Sequence, residues 1–305
     1  MNIFKTAILF GAATATIFLA TTAKQTAVAG TLNLGWNYAI DPSYDSLGGS
    51  QYEIYGMAVK DDLAANTIWV AISGNTPLTG INTGPYLEGM PVSNGNIGWG
   101  DLFFDFSGKG NYKAANETNS LFGIRFAPNN DSKTPGTGIY SGVKGTSVVT
   151  ENAGWWNLHN HNVNGVRRKT GLDAGMGDLA WNDPYYSPYT NEASYYRPET
   201  HIPNVIASGK KVGDITMVSD AELAAAGFAL GVLPEHGSQT IGFKFDKSLL
   251  PVDNYVATLI LECNNDAMAL IGQTEAVPEP SSILATLLGV GAIGTWRKRK
   301  QKLAV

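Results

Sequence analysis

Cysteine is almost absent from this chain of 305 residues, which contains only Cys263. A single thiol cannot form an internal disulfide, so the fold depends on its apolar core. The neighbouring Glu262 and Asp266 favour a protonated, unreactive thiol, since nearby negative charge raises the pKa of a cysteine. We interpret Cys263 as a small buried residue, with an intermolecular bridge or a reactive thiol as the alternatives.

Motifs typical of common enzymes are also absent. The sequence lacks a Gly-x-Ser-x-Gly elbow, a His-Glu-x-x-His pair, a phosphate-binding loop and a Cys-x-x-Cys pair. It therefore nominates no catalytic residue.

Residues 30–276 hold 25 acidic and 14 basic side chains, a net charge of −11. Such an acidic segment argues against nucleic-acid binding, whereas its carboxylates attract divalent cations.

The first 29 residues have the pattern of a secretory signal peptide. Lys5 supplies the positive start, residues 6–23 are apolar and small, and Ala27 and Ala29 precede Gly30 as a signal-peptidase site. We expect cleavage before Gly30, with signal peptidase as a processing partner. Residues 30–276 would then be the exported domain, long enough for one large β-sandwich.

Alternating apolar residues predict strands along this domain. The pattern occurs in Leu32–Ile40, Leu121–Ala127 and Gln239–Phe245. Asn254–Glu262 and Thr67–Ile72 are more continuous apolar runs, which indicates strands buried on both faces, and Gly- and Pro-rich turns separate the runs. One short helix is predicted after Ser219, where Glu222 completes a capping box, followed by a strand at 228–232. The fold class predicted is all-β, an antiparallel, jelly-roll-like β-sandwich.

Two acids stand out in Trp99-Gly-Asp-Leu-Phe-Phe-Asp. A continuous strand would place Trp99, Asp101, Phe103 and Asp105 on one face. Four residues at about 3.3 Å each separate the two acids by roughly 13 Å. Glycosidase carboxylates need roughly 5–9.5 Å, so Asp101 and Asp105 would require a third acid for hydrolysis. A calcium ion at these acids is the other functional interpretation.

His159 and His161 form a His-x-His pair that would share one face of a strand, as metal ligands do. The glutamate that would complete such a site is missing, and we favour polar loop histidines.

Aromatic residues concentrate nearby, and their flat rings suit stacking against sugars. The candidate glycan-binding residues are Trp155, Trp156, Trp181, Tyr185, Tyr186 and Tyr189. A self-packed cover over an edge of the sandwich is the alternative that we favour for the tyrosines.

The C-terminus combines three elements. Val277, Pro278, Glu279 and Pro280 precede an apolar run that ends at Trp296, and a basic tail follows with Arg297, Lys298, Arg299 and Lys300. The 17 uncharged residues from Pro280 to Trp296 would form a helix of about 25 Å, short for a hydrocarbon core of roughly 30 Å. The basic residues predict that this end stays in the cytoplasm.

This arrangement resembles the PEP-CTERM sorting signal, with 277–305 as motif, transmembrane helix and tail. The resemblance implies export in a Gram-negative bacterium, transient anchoring in the inner membrane and processing by an exosortase. It also implies a final place at the cell surface or in the exopolysaccharide matrix. A looser resemblance, to exosortase-dependent surface proteins of cyanobacterial type, rests on Asn96–Phe104, Phe245–Pro251 and Glu262–Asp266.

Three functions follow as hypotheses. The leading one is a structural or adhesive surface protein without enzyme activity. The second is a carbohydrate-binding module for exopolysaccharide, with calcium as a possible cofactor. The third is a glycosidase that acts on exopolysaccharide.

Overall fold

A computed structural model describes residues 30–276. Its strands are β1 (Thr31–Asn33), β2 (Trp36–Ile40), β3 (Ile54–Asp62), β4 (Thr67–Gly74), β5 (Ile81–Asn82), β6 (Tyr86–Leu87), β7 (Met90–Pro91), β8 (Asn96–Ile97), β9 (Leu102–Asp105), β10 (Leu121–Arg125), β11 (Gly138–Thr146), β12 (Val205–Gly213), β13 (Thr216–Val218), β14 (Gln239–Asp246), β15 (Asn254–Ile260) and β16 (Ala267–Gln273).

The helices are short. They are α1 (Tyr112–Glu117), α2 (Arg167–Thr170) and α3 (Asp220–Ala225), with a π-helix at Asn160–Val166 that continues into α2. Single 3₁₀ turns occur at Ser50–Tyr52, Ser93–Gly95, Val149–Glu151, Pro184–Tyr186, Pro198–Thr200, Leu230–Val232 and Lys247–Leu249. No helix in residues 30–276 is long and apolar enough to cross a membrane. The signal peptide predicted at 1–29 and the sorting signal predicted at 277–305 lie outside the described residues.

The predicted antiparallel β-sandwich is confirmed. Sheet 1 has the strand order β1-β2-β3-β4-β14-β13, and sheet 2 has the order β12-β11-β10-β9-β15-β16. Every pairing within these two sheets is antiparallel. Two small hairpin-like pairs, β5-β8 and β6-β7, lie outside the main sheets. Consecutive strands stay mostly within one sheet, because short turns join antiparallel neighbours most easily.

The main core fills the space between the sheets. Phe243 of sheet 1 stacks on Phe126, which follows β10 of sheet 2, with ring centroids 5.4 Å apart. The predicted alternation in Gln239–Phe245 is confirmed, since Ile241, Phe243 and Phe245 are all buried in this core. Cys263 also belongs to it and is fully buried. Its burial raises the pKa of the thiol, as expected for a structural cysteine.

Each sheet has a second apolar face with its own cover. On sheet 1, α3 and the segment that follows it pack on Trp36 and Tyr38. On sheet 2, α1 and the segment 176–202 pack on Phe103 and Tyr140. Both sheets are therefore buried on both sides over part of their area, which explains why β15 is apolar on both of its faces.

Two sequence predictions of secondary structure are wrong in detail. The run Leu32–Ile40 is a hairpin rather than one strand, because Leu34 and Gly35 adopt positive φ angles and join β1 to β2. The strand predicted at 228–232 is instead an extended connection that ends in a 3₁₀ turn. Phe228 makes this segment useful as a cover, since it stacks on Tyr38 at 5.6 Å. The capping box of Ser219 and Glu222 is confirmed at the start of α3.

Candidate functional site

Asp101 and Asp105 serve as internal hydrogen-bond acceptors. Asp101 accepts bonds from the Asn130 side chain at 2.7 Å and from the Ile206 amide at 2.6 Å. Asp105 accepts from the Ser107 amide at 2.8 Å and the Tyr185 hydroxyl at 3.0 Å. Both side chains are buried, and burial raises the pKa of Asp101 to about 6. All four carboxylate oxygens thus have protein partners, and calcium at this pair stays a prediction.

The prediction of one shared strand face around these acids is wrong. Strand β9 begins only at Leu102, after an irregular stretch at Gly100 and Asp101. Trp99 packs on Phe126 in the main core, whereas Phe103 packs on Tyr112 beneath the cover of sheet 2. The break before Leu102 therefore reverses the alternation that an unbroken strand would have.

The two histidines of the His-x-His pair lie on a helical segment rather than on a strand. Side chains two residues apart on a helix point in different directions, so the basis for a shared metal is lost. The ring Nε2 of buried His161 lies 3.1 Å from the Asn265 carbonyl oxygen. Burial lowers the pKa of His161 to about 4, which keeps the ring neutral near pH 7. His159 instead contacts the Trp181 ring edge-to-face.

The predicted glycan-binding aromatics divide into two groups. Tyr186 and Tyr189 are buried against sheet 2, and the Tyr186 hydroxyl bonds to that of Thr258 at 2.8 Å. Tyr185 packs edge-to-face on Tyr186 and is largely buried with it. These rings have the packing of a cover, the interpretation that we favoured for the tyrosines. Trp181 is half-buried between this cover and the segment around Leu47.

Trp155 and Trp156 lie elsewhere, on the wall of a surface groove of about 270 Å³. The β6–β7 hairpin also lines the groove, through Leu87, Met90 and the turn residue Glu88. The groove is lined by Leu47, Gly48, Leu87, Glu88, Met90, Ala153, Gly154, Trp155, Trp156 and Asn265. Its volume is near the lower end of the roughly 300–1,000 Å³ of small-molecule sites. A groove with indole rings, a carboxylate and an amide has the composition that binds a sugar ring.

The backbone fixes Trp155 in this wall. Its amide donates to the Cys263 carbonyl oxygen at 2.9 Å, and its own carbonyl accepts from the Asn264 side chain at 2.8 Å. Gly154 allows the close approach, because a Cβ atom there would lie 2.2 Å from the Cys263 oxygen. The indole of Trp156 donates to the Ala193 carbonyl at 3.1 Å. The Trp155 ring packs on the small apolar cluster around Leu47. Protein contacts thus hold both rings, which lowers the entropic cost of binding a ligand.

A cluster of buried acids lies next to the groove. Asp41, Asp45 and Asp266 each direct a carboxylate oxygen to a common point, with these oxygens within 4.8 Å of one another. Glu53 is also buried close by, and its charge raises the pKa of both Asp45 and Asp266. Leu47 and Asn265 line the groove, and they are close in sequence to Asp45 and Asp266. The Leu47 amide donates a hydrogen bond of 3.0 Å to the Asn265 carbonyl oxygen.

Burial dominates the electrostatics of this cluster. It raises the pKa of Asp45 to about 7, and it raises those of Asp41, Glu53 and Asp266. The neighbouring carboxylates add to the effect at Asp41 and Asp266, since like charges disfavour ionisation. In water-like surroundings all four groups would be ionised at neutral pH. The protein therefore keeps four acids where their negative charge is costly.

No local pattern in the sequence points to this cluster. Its members come from two parts of the chain, the turn-rich stretch up to Glu53 and the Glu262–Asp266 turn, and about 210 residues lie between these two parts. The signal available was the acidic and amide composition of two turns, which is common in loops without any site. They come together because one sheet packs on the other, which places the β15–β16 turn beside the loop after β2.

Comparison with known proteins identifies the C-terminal segment. The family described as the PEP-CTERM protein-sorting motif matches residues 276–300. The predicted sorting signal is thus confirmed, and it indicates an exported surface protein that is anchored transiently and processed by an exosortase. No curated protein and no solved structure matches the chain. The resemblance to cyanobacterial surface proteins stays a prediction.

Proposed function

We propose that this exosortase-dependent surface protein has an adhesive role, in which its sandwich binds exopolysaccharide at the groove beside Trp155. The observation that carries the proposal is the groove that Trp155 and Trp156 line together with the β6–β7 hairpin. Sugar rings present apolar C–H faces that pack on aromatic rings, while their hydroxyls bond to carboxylate and amide groups. Glu88 and Asn265 supply such groups in the groove.

The proposal assigns binding rather than hydrolysis. The carboxylates first considered for glycosidase chemistry, Asp101 and Asp105, have all their oxygens engaged by protein donors. A general acid and a nucleophile must instead face the substrate. At about 270 Å³ the groove can hold only a short part of a long polysaccharide chain. Weak single contacts suit an adhesive protein, because many copies on one surface give avidity.

A binding assay with matched variants tests the proposal. The exported protein is applied to the exopolysaccharide of its host and to a glycan array. Trp155→Ala should weaken the retention on polysaccharide about tenfold or more, equivalent to about 1.4 kcal/mol. Tyr196→Ala is the matched control, because this ring is 87% exposed and does not line the groove. Equal retention of the Trp155→Ala variant and the parent protein would exclude the groove as the binding site.

Mass spectrometry of the mature C-terminus tests the sorting step separately. Processing at the Val277–Pro280 motif should leave a protein without Arg297–Val305. A mature surface protein that retains this basic tail would show that the signal acts as a lasting anchor. Substitution of Glu279 by Ala should cause the unprocessed chain to accumulate in the membrane fraction.

A further inference from the structure

The four acids beside the groove are buried close together, and none of them has a basic partner in an ion pair within the described part of the chain. Asp41, Asp45 and Asp266 are 4%, 0% and 0% exposed, and Glu53 is 2% exposed. Among residues 30–276, the ion pairs of the chain involve none of these four acids. Buried carboxylates are normally paired with a basic group or bound to a metal ion. Their neutralisation therefore calls for protons or a cation.

The hydrogen bonds leave oxygens free on the inner side of the cluster. Asp41 accepts from the Gly177 amide at 3.0 Å through Oδ1, and Asp45 accepts from the Gly175 amide at 2.6 Å through Oδ2. The remaining oxygens, Asp41 Oδ2 and Asp45 Oδ1, are buried and have no partner, and the same holds for Glu53 Oε1. One oxygen of each Asp thus fixes the side chain, while the other is available to a ligand.

Asp266 completes the arrangement from the other sheet. Its Oδ2 accepts from the Ile54 amide at 2.6 Å, and its Oδ1 accepts from the Ala267 amide at 2.8 Å. A carboxylate oxygen has two lone pairs, so either atom can still coordinate a cation. The separation of at most 4.8 Å between the three ligand atoms is that of oxygens around one ion at about 2.3–2.6 Å.

The donor chemistry selects the ion. All the candidate ligands are oxygens, whereas zinc and copper sites favour imidazole or thiolate ligands. Mg²⁺ keeps several waters and binds through one or two carboxylates, whereas this cluster offers up to four buried carboxylates. Ca²⁺ accepts six to eight oxygens in flexible geometry. An exported domain also meets Ca²⁺ at the millimolar level to which extracellular modules are tuned.

We propose that Asp41, Asp45 and Asp266, with Glu53 beside them, bind one Ca²⁺ ion that joins the loop after β2 to the β15–β16 turn. The ion links sheet 1 to sheet 2 at one end of the sandwich. It also fixes the two segments that carry Leu47 and Asn265 on the floor of the groove. The acids that would bind the ion do not line the groove, so the calcium proposal stands whether or not the groove binds polysaccharide.

Calcium titration of the exported protein tests the site. After treatment with EDTA, calorimetry should detect one Ca²⁺ per chain with a Kd of about 10⁻⁴–10⁻³ M, the range of extracellular modules. Ca²⁺ at 100 times this Kd should raise the unfolding temperature by about 5–10 °C, and MgCl₂ at the same concentration should raise it much less. Tb³⁺ should bind in its place and luminesce through Tyr44, which adjoins Asp45 in the chain.

Matched variants locate the ion. Asp45→Asn should abolish the Ca²⁺-dependent shift, and it should fold in EDTA at least as well as the parent because it removes repulsion among the acids. Asp105→Asn is the control, since Asp105 is the acid that the sequence alone suggests for calcium, and it should keep the full shift. Loss of binding in Asp105→Asn with retention in Asp45→Asn would overturn the proposal. If Asp45→Asn does not fold, absence of one-site binding in the parent protein, by both calorimetry and Tb³⁺ luminescence, would overturn it equally.

Discussion

A buried ion pair between Lys247 and Asp61 lies beside the backbone of Glu275, close to the end of the described residues. The Lys247 ammonium contacts Asp61 Oδ2, and the two side chains are only 3% and 14% exposed. The same carboxylate oxygen accepts the Glu275 amide at 2.8 Å, two residues before the sorting motif begins at Val277. Asp61 Oδ1 is buried and has no partner. The charge of Asp61 therefore depends on Lys247 for its compensation.

Replacement of Lys247 by Met should strongly destabilise the domain. The variant keeps the length of the side chain but leaves the Asp61 carboxylate buried and unpaired. Removal of one partner from a buried pair costs about 3–5 kcal/mol, and the partial exposure of Asp61 favours the lower value. For a domain of this size, about 3 kcal/mol lowers the unfolding temperature by about 6–12 °C. Thermal and urea unfolding of the exported protein measure both quantities.

Two further variants decide whether charge is the cause. The double variant Lys247→Met, Asp61→Asn should regain all but about 1 kcal/mol of the unfolding free energy that Lys247→Met loses. No buried charge remains in it, and the side-chain oxygen of Asn at position 61 can still accept from the Glu275 amide. Lys113→Met is the surface control, since its i,i+4 pair with Glu117 is exposed and worth about 0.3–0.5 kcal/mol. A double variant as unstable as the single one would refute the electrostatic account and point to lost packing of the lysine stem.

Three other predictions concern local structure. Ser219→Ala should cost about 1 kcal/mol of unfolding free energy, because it removes the side-chain acceptor at the start of α3, and Ser219→Asp should not. Gly35→Ala should lower the unfolding free energy by about 1–2 kcal/mol because the φ angle of 82° disfavours alanine. The added Cβ would meet no close atom, since the nearest is 3.7 Å away, and an unchanged urea midpoint would contradict the prediction. Cys263 should resist alkylation by iodoacetamide in the native protein and react fully in urea, with mass spectrometry as the readout.

The sandwich was predictable where one strand face is buried. Strands β10 and β14 were found because burial of alternate residues produces a period of two in the sequence, whereas β4 was found from a continuous run of β-forming residues. The same rule failed at Leu34, an apolar residue that continues the alternation although it lies in a turn at 71% exposure. It failed again before Leu102, where an irregular backbone at Asp101 reverses which face the following residues take.

The acid cluster could not be found in this way, because no local pattern relates Asp45 to Asp266. The stability of each strand depends on its own neighbours, whereas the cluster depends on how the loop after β2 meets the β15–β16 turn. That meeting is set by the packing of one sheet on the other, which side-chain periodicity does not encode. Residues close in sequence, such as Asp101 and Asp105, were the ones that drew attention, and they proved to be engaged by neighbouring donors.

The cluster and the groove share the two segments that carry Asp45 and Leu47 on one side, and Asn265 and Asp266 on the other. Repulsion among unneutralised carboxylates would separate these segments, and the Leu47–Asn265 backbone bond of 3.0 Å opposes that separation. A cation that removes the repulsion therefore favours the same backbone arrangement that forms the groove floor. Because coupling between two sites is reciprocal, a sugar that binds only to this arrangement must strengthen cation binding by the same factor. If the groove binds polysaccharide as proposed, that binding should therefore be stronger in the presence of Ca²⁺ than in EDTA.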